Sequence, residues 1–119
     1  MLRPEETIER VYLYRKPIDM RKQRTGLAAL VQEVIKADPF CGSLFVFTGR
    51  RNDRIKILWW SRNGFVLWYK VIEGPERFHW PRLQEEDVVT LTPEQLGWLL
   101  EGYDVWTQPH RMLKLSHVS

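Results

Sequence analysis

The residues with the most chemical potential in this chain are cations set among aromatics. Arg50, Arg51, Arg54, Lys56, Arg62 and Lys70 lie between Ser43 and Lys70, where Asp53 is the one acid. The whole chain carries 18 Lys and Arg against 15 Asp and Glu, so its positive excess is concentrated in this stretch. Arg and Lys next to Trp can grip phosphates and stack bases. Arg50, Arg51, Arg54, Lys56 and Arg62 are therefore the candidate phosphate contacts, and Trp60 and Trp68 the candidate stacking groups. Arg21 and Lys22 form a second basic cluster. On residue types alone the plainer reading is preferred: long cationic stems lie over Trp rings and solubilise an outer sheet face.

Residues for catalysis are harder to assemble. A nuclease or hydrolase needs carboxylates converging on one site. Glu5, Glu6, Asp38, Glu76, Glu85, Glu86 and Asp87 fall in loops or at helix ends rather than inside apolar strands. Asp19, followed by Arg21 and Lys22, reads first as a helix cap. His79 has no second His at ligand spacing, and His110 and His117 sit in the tail. Cys41 is the single cysteine, which excludes an intramolecular disulfide and a thiolate cluster. Thr48-Gly49-Arg50-Arg51 lacks the spacing of a phosphate-binding loop. The expectation is a protein with no catalytic residue, metal or cofactor.

The elements that must position the cations follow from periodicity. Leu44–Thr48, Ile55–Trp60 and Phe65–Lys70 are short β-branched and aromatic runs, separated by Gly49–Asp53 and by Ser61-Arg62-Asn63-Gly64. Asn63-Gly64 is a hairpin signal, so the three runs predict an antiparallel meander. Alternation puts Arg54, Lys56, Leu58 and Trp60 on one face of the middle strand, with Ile55, Ile57 and Trp59 on the other. Glu9–Arg15 reads as an earlier strand, broken by Pro17. Leu27, Leu30, Val31, Val34 and Ile35 recur at helical spacing, which predicts a helix over Gly26–Lys36 with Asp19 or Thr25 as its cap. Gly74-Pro75-Glu76 is a turn, Arg77–Trp80 a final strand, Leu83–Asp87 an acidic loop and Val88–Leu91 an extended lead-in. Thr92-Pro93-Glu94-Gln95 is a capping-box helix start, with Leu96, Leu99 and Leu100 as the buried stripe.

With 119 residues and 44% hydrophobic content, the chain has material for one core. The expected organisation is a single α+β domain over residues 1–106 and a loose tail over 107–119. The architecture is an antiparallel sheet of four to five strands, with a meander core and two helices packed on one face. No apolar run approaches a membrane span, and Met1–Arg15 lacks the apolar core of a signal peptide, so a cytoplasmic setting without membrane contact is expected.

Several blocks together carry a family resemblance. They are Asp19-Met20-Arg21-Lys22, Gly26–Val31, Asp38-Pro39-Phe40 and Leu44–Phe47. They continue with Asp53–Lys56, Leu58-Trp59-Trp60, Gly64-Phe65, Tyr69-Lys70, Phe78 with Trp80-Pro81, Leu91-Thr92, Gln95-Leu96 and Leu99–Gly102. In this order, over Arg15–Tyr103, the chain resembles the small accessory protein (the second open reading frame, or TnpB) of insertion-sequence-66-type transposable elements. That protein is distinct from the RNA-guided nuclease sharing the TnpB label. The chain departs from the family pattern at Gln23-Arg24-Thr25, where Gly-Phe-Asp is usual, and at Ser61, where Asp often follows Trp. The resemblance implies a role beside a separate transposase that carries the catalytic acids, and it supplies no catalytic residue here. Joined to that DNA context, the charge segregation favours nucleic-acid binding by the basic aromatic sheet and hairpin. The alternative is a module that docks the element-encoded transposase through its aromatics. A metal-dependent nuclease is the outside reading. The sequence leaves the oligomeric state open.

Overall fold

The computed structural model describes residues 10–81 and 86–106. The tail expected from Thr107 and most of the acidic Leu83–Asp87 stretch lie outside the described residues, as do Glu5, Glu6, His110 and His117.

Five strands and two helices form an α+β fold around a sheet. Strand β1 spans Val11–Tyr14, β2 Leu44–Thr48, β3 Arg54–Ser61, β4 Gly64–Val71 and β5 Val88–Leu91. Helix α1 runs over Arg24–Leu30 and continues as a wider π-helical turn over Val31–Ile35, and α2 spans Pro93–Leu100. The sheet order is β4-β3-β2-β1-β5. The expected meander is present as β2-β3-β4, antiparallel throughout.

Three features correct the sequence reading. First, the sheet is mixed, because β1 and β2 pair in parallel, Val11 opposite Leu44 and Leu13 opposite Val46. The α1 connection returns the chain to the end where β1 began, which forces the parallel pairing that a tight hairpin would have prevented. Second, the two helices cover opposite faces of the sheet. Leu96, Leu99 and Leu100 of α2 pack with Val11, Leu13, Leu44, Val46, Ile55 and Ile57. Leu27 and Val31 of α1 pack with Tyr14, Phe45, Phe47 and Leu58 on the other side. The cause is in the strands: β2 is buried at all five positions, so both of its faces need a cover. Third, Arg77–Trp80 is not a strand, whereas Val88–Leu91 is one, antiparallel to β1. Pro81 ends the Arg77–Trp80 segment, and Phe78 and Trp80 are buried from a loop. The Trp80 indole donates to the Arg15 carbonyl at 3.0 Å.

Helix α2 starts as its sequence demands. The Thr92 side chain accepts from the Gln95 amide, and the Gln95 side chain accepts from the Thr92 amide, with Pro93 in the first turn. Thr92→Ala should lower unfolding free energy by about 1 kcal/mol, read as a shifted urea midpoint at unchanged slope. Helix α1 starts differently. Gln23 occupies the cap position without a side-chain bond, and neither Asp19 nor Thr25 caps it. At its other end Lys36 takes a left-handed conformation, φ 62°, and the Ala37 amide bonds back to the Val31 carbonyl.

Candidate nucleic-acid interface

The β2–β3 connection and the stretch after Pro17 are tied together at one end of the sheet. The Ile18 amide donates to the Thr48 carbonyl at 2.9 Å, which pins residues 17–20 against the end of β2. Gly49 permits that approach, since a Cβ there would stand 2.7 Å from Met20 Cγ. The loop closes on itself through the Asn52 amide and the Gly49 carbonyl, with Asn52 at φ 55°. Phe78 and Ile72 then bind it from outside, donating to the Asn52 and Asp53 carbonyls at 2.8 Å. The Thr48 hydroxyl donates to the Arg54 carbonyl. An exposed loop of this length is thus held at five backbone positions.

Between these walls lies an open cleft of about 660 Å³. Arg50, Arg51, Arg54, Asp19 and Asp53 line it, together with Pro17, Ile18, Met20 and Gly49. Arg50 and Arg51 are exposed, and neither lies within ion-pair distance of an acid among the described residues. Arg54 stands 3.8 Å from the Asp53 carboxylate and donates weakly to the Tyr69 hydroxyl. The Asp19 carboxylate accepts the Arg21 amide and is bracketed by the Arg21 guanidinium, the closest bond being 2.7 Å. That side-chain bond, reinforced by the Arg21 amide, holds the Asp19 carboxyl well below its ordinary value of 3.8, and the same bond, with the carboxylate charge behind it, raises the Arg21 guanidinium. What Asp19 adds to stability is present above the unfolded value and is lost only as pH falls through the lower folded one. A carbon-detected NMR titration should find its midpoint below 3.8, and Arg21→Ala, which removes the guanidinium but keeps the amide, should move it up toward that value.

The structure separates the candidate residues expected from sequence. Arg50, Arg51 and Arg54 come together in the cleft. Arg21 and Lys22 sit at the same end of the sheet, because the Lys22 carbonyl accepts from Lys56 in β3. Lys56 itself is a correction. It lies on the face shared with Leu58 and Trp60, as alternation requires, but helix α1 covers that face. Lys56 is only 4% exposed; its ammonium is 2.8 Å from the Lys22 carbonyl and 5.2 Å from the centre of the Tyr69 ring. Burial pushes its pKa down, against the opposing pull of Asp19. It positions the Asp19–Lys22 turn and is not available to a phosphate.

Arg62 lies apart from the cleft arginines. It occupies the β3–β4 hairpin with φ 54°, where Ser61 pairs with Gly64, so the turn centres on Arg62-Asn63 rather than Asn63-Gly64. Eight residues of β3 separate it from the cleft, roughly 25 Å. The stacking candidates also move away. Trp68 packs against the α2-side core, and Trp60 meets Phe40 and Phe65 edge-on at 4.9 and 5.0 Å near the hairpin end. No Trp lines the cleft. The free basic aromatic sheet face is therefore replaced by a basic cleft at one end and an aromatic cluster at the other.

Sequence reasoning missed Arg77 and the wall made by Pro17, Ile18 and Met20. Arg77 is exposed and precedes Phe78, whose amide holds the loop, so it joins the basic end. Its apparent place in a strand hid it. The Gly49 close approach had one signal, a glycine between a buried strand and two arginines.

A family model described as IS66 Orf2 like protein matches residues 9–111. Two relatives come from Sinorhizobium fredii (strain NBRC 101917 / NGR234). The uncharacterized protein y4jC is 34% identical over 86% of this chain and 85% of its own length. The uncharacterized protein y4hO is 39% identical over 92% of each. No solved structure matches the chain. No helix among the described residues is long and apolar enough to cross a membrane.

Proposed function

The chain belongs to the IS66 Orf2-like family, and on that premise we propose that it is a non-catalytic accessory factor of DNA transposition that binds nucleic-acid phosphates through the basic cleft. The observation that carries the reading is the pairing state of the cleft arginines. Arg50 and Arg51 face solvent without an acid partner among the described residues, on a loop fixed from several sides. A rigid loop presents guanidinium forks with little ordering cost, and Arg is suited to bidentate contact with phosphate oxygens. The two carboxylates of the cleft serve the arginines: Asp19 holds Arg21, and Asp53 faces Arg54.

Anisotropy titration of labelled element-end duplex, scrambled duplex and single strand at two salt concentrations tests this. The label belongs on the DNA, because no indole lines the cleft. Salt-sensitive binding is expected, and preference for the element end would make the protein a site-reading factor. No binding at low salt would end the proposal.

One observation favours a second reading, docking to the element-encoded transposase. Phe40 is 55% exposed and packs against both Trp60 and Phe65, with ring centroids 4.9 and 5.3 Å away. Such an anchor is typical of protein contacts. Co-purification with the transposase after nuclease treatment, lost in Phe40→Ala, would establish it; no association without DNA would remove it.

A further inference from the structure

Strand β4 forms one edge of the sheet, and nothing described protects it. It runs eight residues, Gly64–Val71, in unbroken register with β3. It contains no proline and no bulge, and its one charge, Lys70, is turned away: the ammonium donates to the Leu100 carbonyl at 2.7 Å. Edge strands are ordinarily shortened, kinked or charged to prevent pairing with another chain. The opposite edge follows that rule, since β5 has four residues and Asp87 at its start binds Arg15 and Lys16. Val66, Tyr69 and Val71, half of the exposed large hydrophobic residues described, all lie on β4.

The hydrogen-bond parity of β4 is fixed. The Ile72 amide donates to the Asp53 carbonyl, so the even-numbered positions turn their amides and carbonyls toward β3. Phe65, Leu67, Tyr69 and Val71 therefore direct theirs to the open edge, where no described group bonds them.

We propose that β4 pairs antiparallel with β4 of a second copy of this chain, about a two-fold axis normal to the sheet at Trp68. That register sets Phe65 opposite Val71 of the second copy and Leu67 opposite its Tyr69, so all four outward-facing residues exchange hydrogen bonds. The neighbouring registers that the parity allows pair fewer of these residues: one centred on Leu67 leaves Val71 opposite the hairpin turn, and one centred on Tyr69 leaves Phe65 opposite Glu73, beyond the strand. A second copy is the fitting occupant because the strand offers no free charge for selecting a different partner strand. Paired with itself it sets Phe65 against Val71, Leu67 against Tyr69 and Trp68 against its own copy, and it covers Val66, Tyr69 and Val71. A dimer of this kind is isologous and closed. The axis carries both basic clefts on one face, at diagonal ends of a ten-stranded sheet. They stand on the order of 25–35 Å apart, comparable with one turn of duplex DNA. The pairing itself does not rest on the nucleic-acid reading.

Hydrogen exchange and sedimentation velocity of the full chain, from low to high micromolar concentration, test the proposal. Sedimentation should move from monomer to dimer. Over the same range the amides of Phe65, Leu67, Tyr69 and Val71 should exchange on the order of tenfold more slowly, while the even-numbered β4 amides stay protected throughout. Val66→Lys, which sets an ammonium opposite Lys70 of the second copy, should remain monomeric with an unchanged far-ultraviolet spectrum. A monomer at every concentration overturns the proposal. So does a dimer whose odd-numbered β4 amides exchange freely. Protection of those amides in a concentration-independent monomer also overturns it, and would show the edge covered by the chain itself. If Val66→Lys does not fold, the exchange pattern of the native chain still decides.

Discussion

Replacing Arg50, Arg51 and Arg54 together by Ala should flatten the salt dependence of DNA binding by two to three units on a log–log plot. Each phosphate neutralised on duplex DNA contributes about 0.9 to that slope. Between 50 and 200 mM salt, the native protein should therefore lose about 40-fold more affinity than the variant if all three arginines make contacts. The loss should be similar for element-end and scrambled sequences, because phosphate contacts position a protein without reading bases. Stability should stay within about 0.5 kcal/mol, since the three side chains are exposed. Arg62→Ala is the control for a single charge. It removes one positive charge from the far end of β3, against three from the cleft, and should leave the slope unchanged. An equal effect per charge removed would assign the binding to net charge rather than to the cleft.

Lys56→Ala should be the most damaging single change among the basic residues, lowering stability by about 2–4 kcal/mol, the range for removing a buried chain of this length. The stem of Lys56 is buried beside Tyr69, and its ammonium ties β3 to the Asp19–Lys22 turn. Lys56→Met keeps the stem and relieves the cost of burying a charge, so it should restore most of the stability. It should not restore the tie. Amide exchange at Lys22, whose amide bonds the Asp19 carbonyl, should accelerate, and DNA affinity should fall with it. The alkaline behaviour has a definite sign. Burial lowers the Lys56 pKa from 10.5, so the unfolded chain keeps its proton to higher pH than the folded one. Across the window between the folded value and 10.5 this group's contribution to stability rises with pH, and Lys56→Met should abolish that rise. Chemical denaturation at several alkaline pH values reads both effects. An unchanged pH profile in Lys56→Met would place the lysine in solvent.

Much of the fold was legible because local signals agreed. The meander runs Leu44–Thr48, Ile55–Trp60 and Phe65–Lys70 fall inside the observed strands, and Thr92 to Gln95 started a helix as written. Alternation assigned Lys56 and Trp60 to one face correctly. It could not say that a helix covers that face, because layer order is set by the long connection through α1. One sign was present: Leu44-Phe45-Val46-Phe47 is apolar at every position, which suits a strand buried on both sides. Arg50, Arg51 and Arg54 were found because they share a loop. Arg77 and the Pro17–Met20 wall were not, because tertiary hydrogen bonds bring them to that loop across long sequence separations. Asp19 looked like a cap, and its carboxylate does accept a nearby amide, but the helix begins five residues later and Asp19 orders Arg21 instead.

Binding of phosphates at the end of the sheet where Arg50, Arg51 and Arg54 converge should be visible in an NMR titration of the amide-labelled protein with element-end duplex. Shifts should concentrate in residues 17–22, 49–54 and 77, with the amides of Phe40, Trp60 and Phe65 unmoved. Shifts centred on Phe40, Trp60 and Phe65, or none at low salt, would rule the cleft out as the phosphate site.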